Sequence, residues 1–215
     1  MTDTAPTQEE ILSTATEAAS WRMISLLFSY PAPTWRESVE RLLADLRDAE
    51  LRQAASLALE QASESAYATL FGPGGPLPIR EAACRRGVEL GNFLAEIVAL
   101  YKLFGYDRPT DEPPDHLAVE ADFLAFLRLK EAYAMANENL EAAKAVRDAA
   151  QRFAAEHLAG MAARLARMLD GPEAGYLGLA ARAAARLAPP PIVSPFEVPS
   201  GGEDEEVCFA CGDSG

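Results

Sequence analysis

Glu112-Pro113-Pro114-Asp115-His116-Leu117-Ala118-Val119-Glu120 puts three carboxylates and one of the chain's 2 histidines at the head of a long Ala- and Leu-rich run. The stretch follows a turn, Gly105-Tyr106-Asp107-Arg108-Pro109, and predicts a helix from about Pro113 to Ala136. Prolines are tolerated in a first helical turn, and Asp111 is a plausible N-cap. On such a helix His116, Glu120, Phe123 and Leu127 fall on one stripe, at steps of four, three and four. The stripe is polar at its start and apolar beyond, the pattern of a half-buried groove with an apolar floor and a polar mouth. Glu112 and Asp115 flank that mouth. A plainer reading of the same residues is a helix N-terminus carrying acids that suit its dipole, with His116 hydrogen-bonded for packing.

The same helical period recurs on both sides of this run. A first helix is predicted over about Thr7–Ser29, with Leu12, Ala15, Ala19, Met23, Leu26 and Tyr30 on one face and Trp21, Ile24 and Phe28 widening it. Pro31-Ala32-Pro33 ends it, and a second helix runs from Thr34 to about Leu46. A third covers about Leu51–Leu70 and a fourth about Glu81–Phe104, separated by Phe71-Gly72-Pro73-Gly74-Gly75-Pro76-Leu77-Pro78. Beyond the opening stretch, helices are predicted over about Leu140–Leu169 and Ala174–Leu187, divided at Asp170-Gly171-Pro172. No segment alternates with a period of two. The fold class is therefore all-α, a compact bundle of roughly seven helices over residues 1–188. From Pro189 the chain turns rich in Pro and Gly, then acidic at Glu203-Asp204-Glu205-Glu206, which predicts a flexible tail over 189–215.

Composition narrows the function. Hydrophobic residues make up 49% and charged residues 24%, as in a globular chain, and no apolar run approaches the roughly 20 residues that span a bilayer. The first residues lack the basic head and apolar core of a secretory signal, so a cytoplasmic location without membrane insertion is expected. A net charge of −14 repels phosphate backbones and argues against nucleic-acid binding, while it suits a cationic partner such as a basic peptide. Cys84, Cys208 and Cys211 form no disulfide framework. Cys208-Phe209-Ala210-Cys211 has the spacing of half a zinc site, without a second pair. Arg85-Arg86 reads as a solvated helix face.

No G-x-S-x-G elbow, phosphate loop or dinucleotide glycine fingerprint is present. His116 and Glu120, four apart, leave an alternative open: an all-helical metal-binding protein or hydrolase built on that pair. Zinc or a di-iron centre needs further ligands, and His157 lies beside Phe153 and Met161 as if at the edge of a core face. Neither a metal site nor a cofactor is expected, and the chain reads as a non-enzyme.

Glu112-Pro113-Pro114-Asp115-His116-Leu117 with Glu120 resembles the E-P-x-D-H-[LI]-x-x-E signature of the TorD/DmsD/NarJ family of molybdoenzyme maturation chaperones. Tyr67-Ala68-Thr69-Leu70-Phe71-Gly72-Pro73 is similar to that family's Y-x-x-L-F signature. The resemblance spans about residues 10–188 and leaves out the acidic tail. It implies an all-α TorD-like bundle without catalytic activity. It also implies binding of the catalytic subunit precursor of a molybdopterin oxidoreductase, its twin-arginine signal peptide included, so that cofactor insertion precedes export. A homodimer is a further candidate assembly. The client-contacting residues would be Glu112, Pro114, Asp115, His116 and Glu120 from the first signature, Phe123 from the helical stripe that continues it, and Tyr67, Leu70 and Phe71 from the second. Carboxylates beside an apolar groove suit a peptide with a basic head and an apolar core, because arginine pairs with carboxylates through two hydrogen bonds. As groups at a helix mouth, Asp115 and His116 are expected to be replaceable by alanine with little loss of fold.

Overall fold

A computed structural model describes residues 5–192, apart from Arg86 and Val88. Its helices are α1 (Gln8–Leu27), α2 (Trp35–Leu43), α3 (Ala49–Gln61), α4 (Glu64–Phe71), α5 (Leu90–Phe104), α6 (Leu117–Ala136), α7 (Leu140–Phe153), α8 (Ala159–Met168) and α9 (Gly175–Leu187). Among the described residues there is no β-strand, only a single antiparallel bridge between Arg80 and His116. The all-α bundle expected from the sequence is what the chain forms.

Helix α6 is the axis of the packing. Leu117, Val119, Ala121, Phe123, Leu124 and Leu127 are all buried, so its first three turns are covered on every side, as a helix at the centre of a bundle requires. Helix α1 lies along it with Trp21, Met23, Ile24, Leu27 and Phe28, and α7 packs on another side with Val146, Ala150 and Phe153. The far side closes through α9 against α3 and α8, where Ala54, Ala55, Ala58, Ala180, Ala181, Ala183 and Ala184 let the backbones approach. No helix among the described residues is long and apolar enough to cross a membrane.

Several predicted boundaries move, each for a local reason. The helix expected over Leu51–Leu70 is two helices. Ala62 is extended, and the Ser63 hydroxyl accepts the Ala66 N–H to start α4 anew. The helix expected from Glu81 begins at Leu90, where the Glu89 carboxylate accepts the Gly91 and Asn92 N–H groups. Glu81–Cys84 is only a 3₁₀ turn. Gly105, at φ 69°, ends α5 in the left-handed conformation that glycine adopts without strain. The run expected over Leu140–Leu169 is interrupted at Ala154–Leu158 by a π turn, a feature that recurs at functional sites. Leu12, Tyr30, Leu90 and Met168, assigned to buried faces by periodicity, are exposed.

Of the tail predicted over 189–215, the described part, 189–192, runs along the body, and the Ile192 N–H donates to the Ala155 carbonyl at 3.2 Å. The remainder, with Cys208 and Cys211, lies outside the described residues.

Phe123 measures how far α6 belongs to the core. It is 1% exposed, with ring centroids of Tyr101, Phe153, Tyr106 and Phe104 at 4.6, 4.8, 5.2 and 6.2 Å. It belongs to the core, and with Leu100, Leu103, Phe104 and Leu127 it also lines a cleft of about 270 Å³. Phe123→Ala removes a buried ring from an aromatic cluster and is expected to cost about 3–5 kcal/mol of unfolding free energy in a denaturant titration.

Candidate functional site

The segment from Ile79 to Cys84 lies as a strap across the start of α6. The Glu81 N–H donates to the Asp115 carbonyl at 2.8 Å, and the Leu117 N–H donates to the Ile79 carbonyl at 2.9 Å. This pairing holds His116 extended, so α6 starts at Leu117 and not at Pro113. His116, at φ −78° and ψ 132°, is the N-cap in place of Asp111. Pro113 and Pro114 sit in the preceding turn, which the His116 N–H closes onto the Pro113 carbonyl at 3.0 Å.

Asp115 has no exposed surface. Its Oδ1 accepts the Arg80 Nε and Nη2 at 2.9 and 2.7 Å, and its Oδ2 accepts the Ala82 N–H at 3.1 Å. One carboxylate thus holds both the side chain and the backbone of the strap. The Tyr101 hydroxyl donates to the Pro114 carbonyl at 2.7 Å and fixes the turn from beneath.

His116 is 2% exposed and uses both ring nitrogens. Nδ1 accepts the Ala118 N–H at 3.2 Å, so the proton of the neutral ring sits on Nε2, which faces the Tyr67 hydroxyl at 3.1 Å. Burial, the largest influence, lowers the imidazole from its ordinary 6.5 to about 4. The same burial, with Glu112 nearby, raises the Tyr67 phenol. The two signatures, far apart in sequence, therefore meet in one hydrogen bond. Around it Tyr67 packs on Phe71 at 5.0 Å and on Tyr30 at 5.4 Å, and the Leu77 N–H reaches back to the Leu70 carbonyl at 3.2 Å to fold the Gly-rich loop against α4. Gly75 is required there, since a Cβ would stand 2.4 Å from the Leu70 carbonyl oxygen.

Glu120 points away from Tyr67 and His116, into a second cluster that spacing did not reveal. Its carboxylate lies with the Glu81 carboxylate and the His157 imidazole, one ligand-type atom of each being within 4.8 Å of the others. His157, on the π turn, has Nδ1 3.0 Å from Glu81 Oε2 and its ring between Phe153 and Phe93. Arg85 ion-pairs with Glu81, bonds the Glu156 carbonyl and lies 5.0 Å over the Phe93 ring. Arg85 is therefore no solvated helix face; Arg86 lies outside the described residues. Glu120 has no exposed surface, and among the described residues neither of its oxygens meets a hydrogen-bond donor. Burial first, and then the neighbouring Glu81 carboxylate, raise its carboxyl well above the ordinary value.

The stripe read as an open groove is thus an internal one. Asp115, His116, Glu120 and Phe123 are buried, whereas Glu112, Pro114, Tyr67, Leu70 and Phe71 are half-buried and reach the surface. The strap covers what helical periodicity left open. Residues paired across 33 to 76 positions, such as Arg80, Glu81 and His157, leave no signal in local spacing. The pairing of His116 with Glu120 as metal ligands also fails, since both imidazole nitrogens are engaged elsewhere. Beside Glu112 a cleft of about 600 Å³ opens between α1, α2 and the loop 106–112, lined among others by Tyr30, Trp35, Tyr106, Asp111 and Glu112. Asp122 is held there by Arg22 and by the Tyr106 hydroxyl at 2.8 Å.

A family model described as nitrate reductase delta subunit matches residues 33–167. The chain belongs to that family. It is 28% identical over 165 residues to the selenate reductase assembly chaperone protein of Thauera selenatis, covering 74% of this chain and 79% of that one. It is 30% identical over 165 residues to the chlorate reductase assembly chaperone protein of Ideonella dechloratans, with the same coverage of 74% and 79%. In fold it is similar to the crystal structure of a redox enzyme maturation protein from Archaeoglobus fulgidus, at TM-score 0.51 and 22% identity over 79% of this chain and 91% of that one.

Lowering the pH tests the buried imidazole. The folded state holds His116 neutral down to about 4, while the unfolded chain protonates near 6.5. Its contribution is fully present above 6.5 and is lost as the pH falls to about 4, a difference of about 3 kcal/mol. Unfolding free energies of the wild type and His116→Gln, measured from pH 7 to 4, are expected to converge by roughly that amount. Glu120 titrates in both proteins, so the difference isolates His116.

Proposed function

We propose that this protein is a cytoplasmic maturation chaperone for a molybdenum-containing oxidoreductase. It binds the apo-form of the catalytic subunit, its twin-arginine signal peptide included, and supports cofactor insertion before export, without catalytic turnover of its own. The observation that carries this reading is membership of the family over residues 33–167, joined to two relatives that are by name assembly chaperones of selenate and chlorate reductases.

The surface chemistry supports the peptide part of the proposal. Asp111 and Glu112 stand at the rim of the cleft beside α2, and Tyr30, Trp35 and Tyr106 supply its apolar walls. A peptide with a basic head and an apolar core finds both there, and the net charge of −14 steers it in. Glu112, Pro114, Tyr67, Leu70 and Phe71 are the residues offered for direct contact. Asp115, His116, Glu120 and Phe123 serve the same surface from beneath, by fixing the strap and the turn that carry it.

Co-expression with the molybdoenzyme subunit encoded nearest to this gene is expected to give a stable complex with the cofactor-free precursor. No association with any such subunit contradicts the proposal. Glu112→Lys is expected to weaken a synthetic twin-arginine peptide about fivefold, the size of one exposed ion pair, with unchanged thermal stability. Binding that is indifferent both to this change and to raised salt removes the cleft rim as the peptide site.

A further inference from the structure

We propose that Glu81, Glu120 and His157 form a binding site for one divalent cation of the zinc class. The inference is independent of the chaperone reading and rests on how this chain treats its buried carboxylates. Asp115 is held by the Arg80 guanidinium and a backbone N–H. Glu131, equally buried, is held by Arg147 Nε at 2.5 Å and Arg128 Nη1 at 2.9 Å. Glu81 has Arg85 on one oxygen and His157 on the other. Glu120 alone of these four has no donor on either oxygen, although it has no exposed surface. A buried carboxylate is paired, protonated or bound to a metal.

The neighbours of Glu120 are ligands, not counter-ions. Two carboxylates and an imidazole nitrogen converge within 4.8 Å, which is the donor set of a three-residue zinc site. The distance of 3.0 Å between His157 Nδ1 and Glu81 Oε2 is close to the roughly 3.3 Å edge between ligands at tetrahedral zinc bond lengths. Counting charge, Arg80 balances Asp115, Arg85 balances Glu81, and Glu120 is left over. In the metal-free protein a proton on Glu120 fills that deficit and gives it a hydrogen to offer Glu81. A cation displaces that proton to solvent, and the His157 imidazole changes tautomer, its hydrogen passing from Nδ1 to Nε2, so that one proton is released in all; the cation then takes Glu120, Glu81 Oε2 and His157 Nδ1, and leaves Arg85 on Glu81 Oε1. It joins the strap, α6 and the π turn at one point, so the bound ion fixes the segment that Asp115 holds from the other side.

The test uses the full-length chain carrying Cys208→Ser and Cys211→Ser, so that the tail thiols take no metal. After chelator treatment and dialysis it is titrated with Zn²⁺ alone against a chromophoric chelator. One equivalent is expected to bind, with affinity rising about tenfold per pH unit as one proton is displaced, and to raise the melting temperature. Glu120→Gln keeps the shape without the charge and is expected to weaken Zn²⁺ at least thirtyfold and abolish the thermal shift. If that variant does not fold, X-ray absorption of the Zn²⁺-loaded parent decides: a nitrogen and oxygen shell with an imidazole signature supports the site. Absence of binding to the parent, with a carboxylic acid infrared band that Zn²⁺ leaves untouched, overturns the proposal in favour of a proton alone. So does Zn²⁺ binding that Glu120→Gln leaves unchanged.

Discussion

Asp115 is a carboxylate with no exposed surface, and the arrangement around it determines how α6 begins. Removing a charge from water is costly unless it is paired and hydrogen-bonded. Here the pairing comes from a different part of the chain: Arg80 and the Ala82 N–H, both on the strap. The strap cannot leave without stranding the carboxylate, and breaking such a pair costs about 3–5 kcal/mol. Once it is in place, His116 is extended and becomes the N-cap, its Nδ1 is occupied, and Nε2 is delivered to Tyr67. The contact between the two signature motifs follows from the carboxylate beneath them.

The interior of the bundle is ordered by charge as well as by shape. Among the described residues four acidic side chains are buried, and three have guanidinium partners drawn from another element or another turn. Glu131 ties α6 to α7 through Arg147, and Asp115 ties α6 to the strap. The fourth, Glu120, sits between these ties beside the Glu81 carboxylate and the His157 imidazole, without a hydrogen-bond partner among the described residues. Its setting holds a proton or a metal ion, and either joins the strap to α6 a second time.

The all-α class was legible because helical periodicity needs no long-range information: Ala, Leu, Glu and Arg with a three- and four-residue rhythm specify helices wherever they pack. The two signatures were legible as strings, and their order marked the family. Where the reading failed, it failed at places decided by distant partners. Helical phase alone assigned His116, Glu120 and Phe123 to an open groove, because their covers come from elsewhere in the chain: the strap of residues 79–84, some thirty-five positions away, meets the start of α6, and Tyr101, Tyr106 and Phe153 surround Phe123. Glu81 looked like the start of a helix, and Arg85 like a solvated face, until they were seen folded back onto α6 and the π turn. His157 read as the edge of a core, correctly as regards Phe153, but its polar side faces Glu81 across 76 residues.

The central claim is that Asp115 is an internal latch and not a client-contacting residue, and amide hydrogen exchange on Asp115→Asn tests it most directly. Asparagine keeps the shape but loses the charge that holds Arg80. The account predicts fast exchange at residues 79–84 and 115–120, with α3, α8 and α9 still protected, and weaker client binding as a consequence. Exchange like that of the wild type across the strap, together with lost client binding, would contradict it and make Asp115 a direct contact.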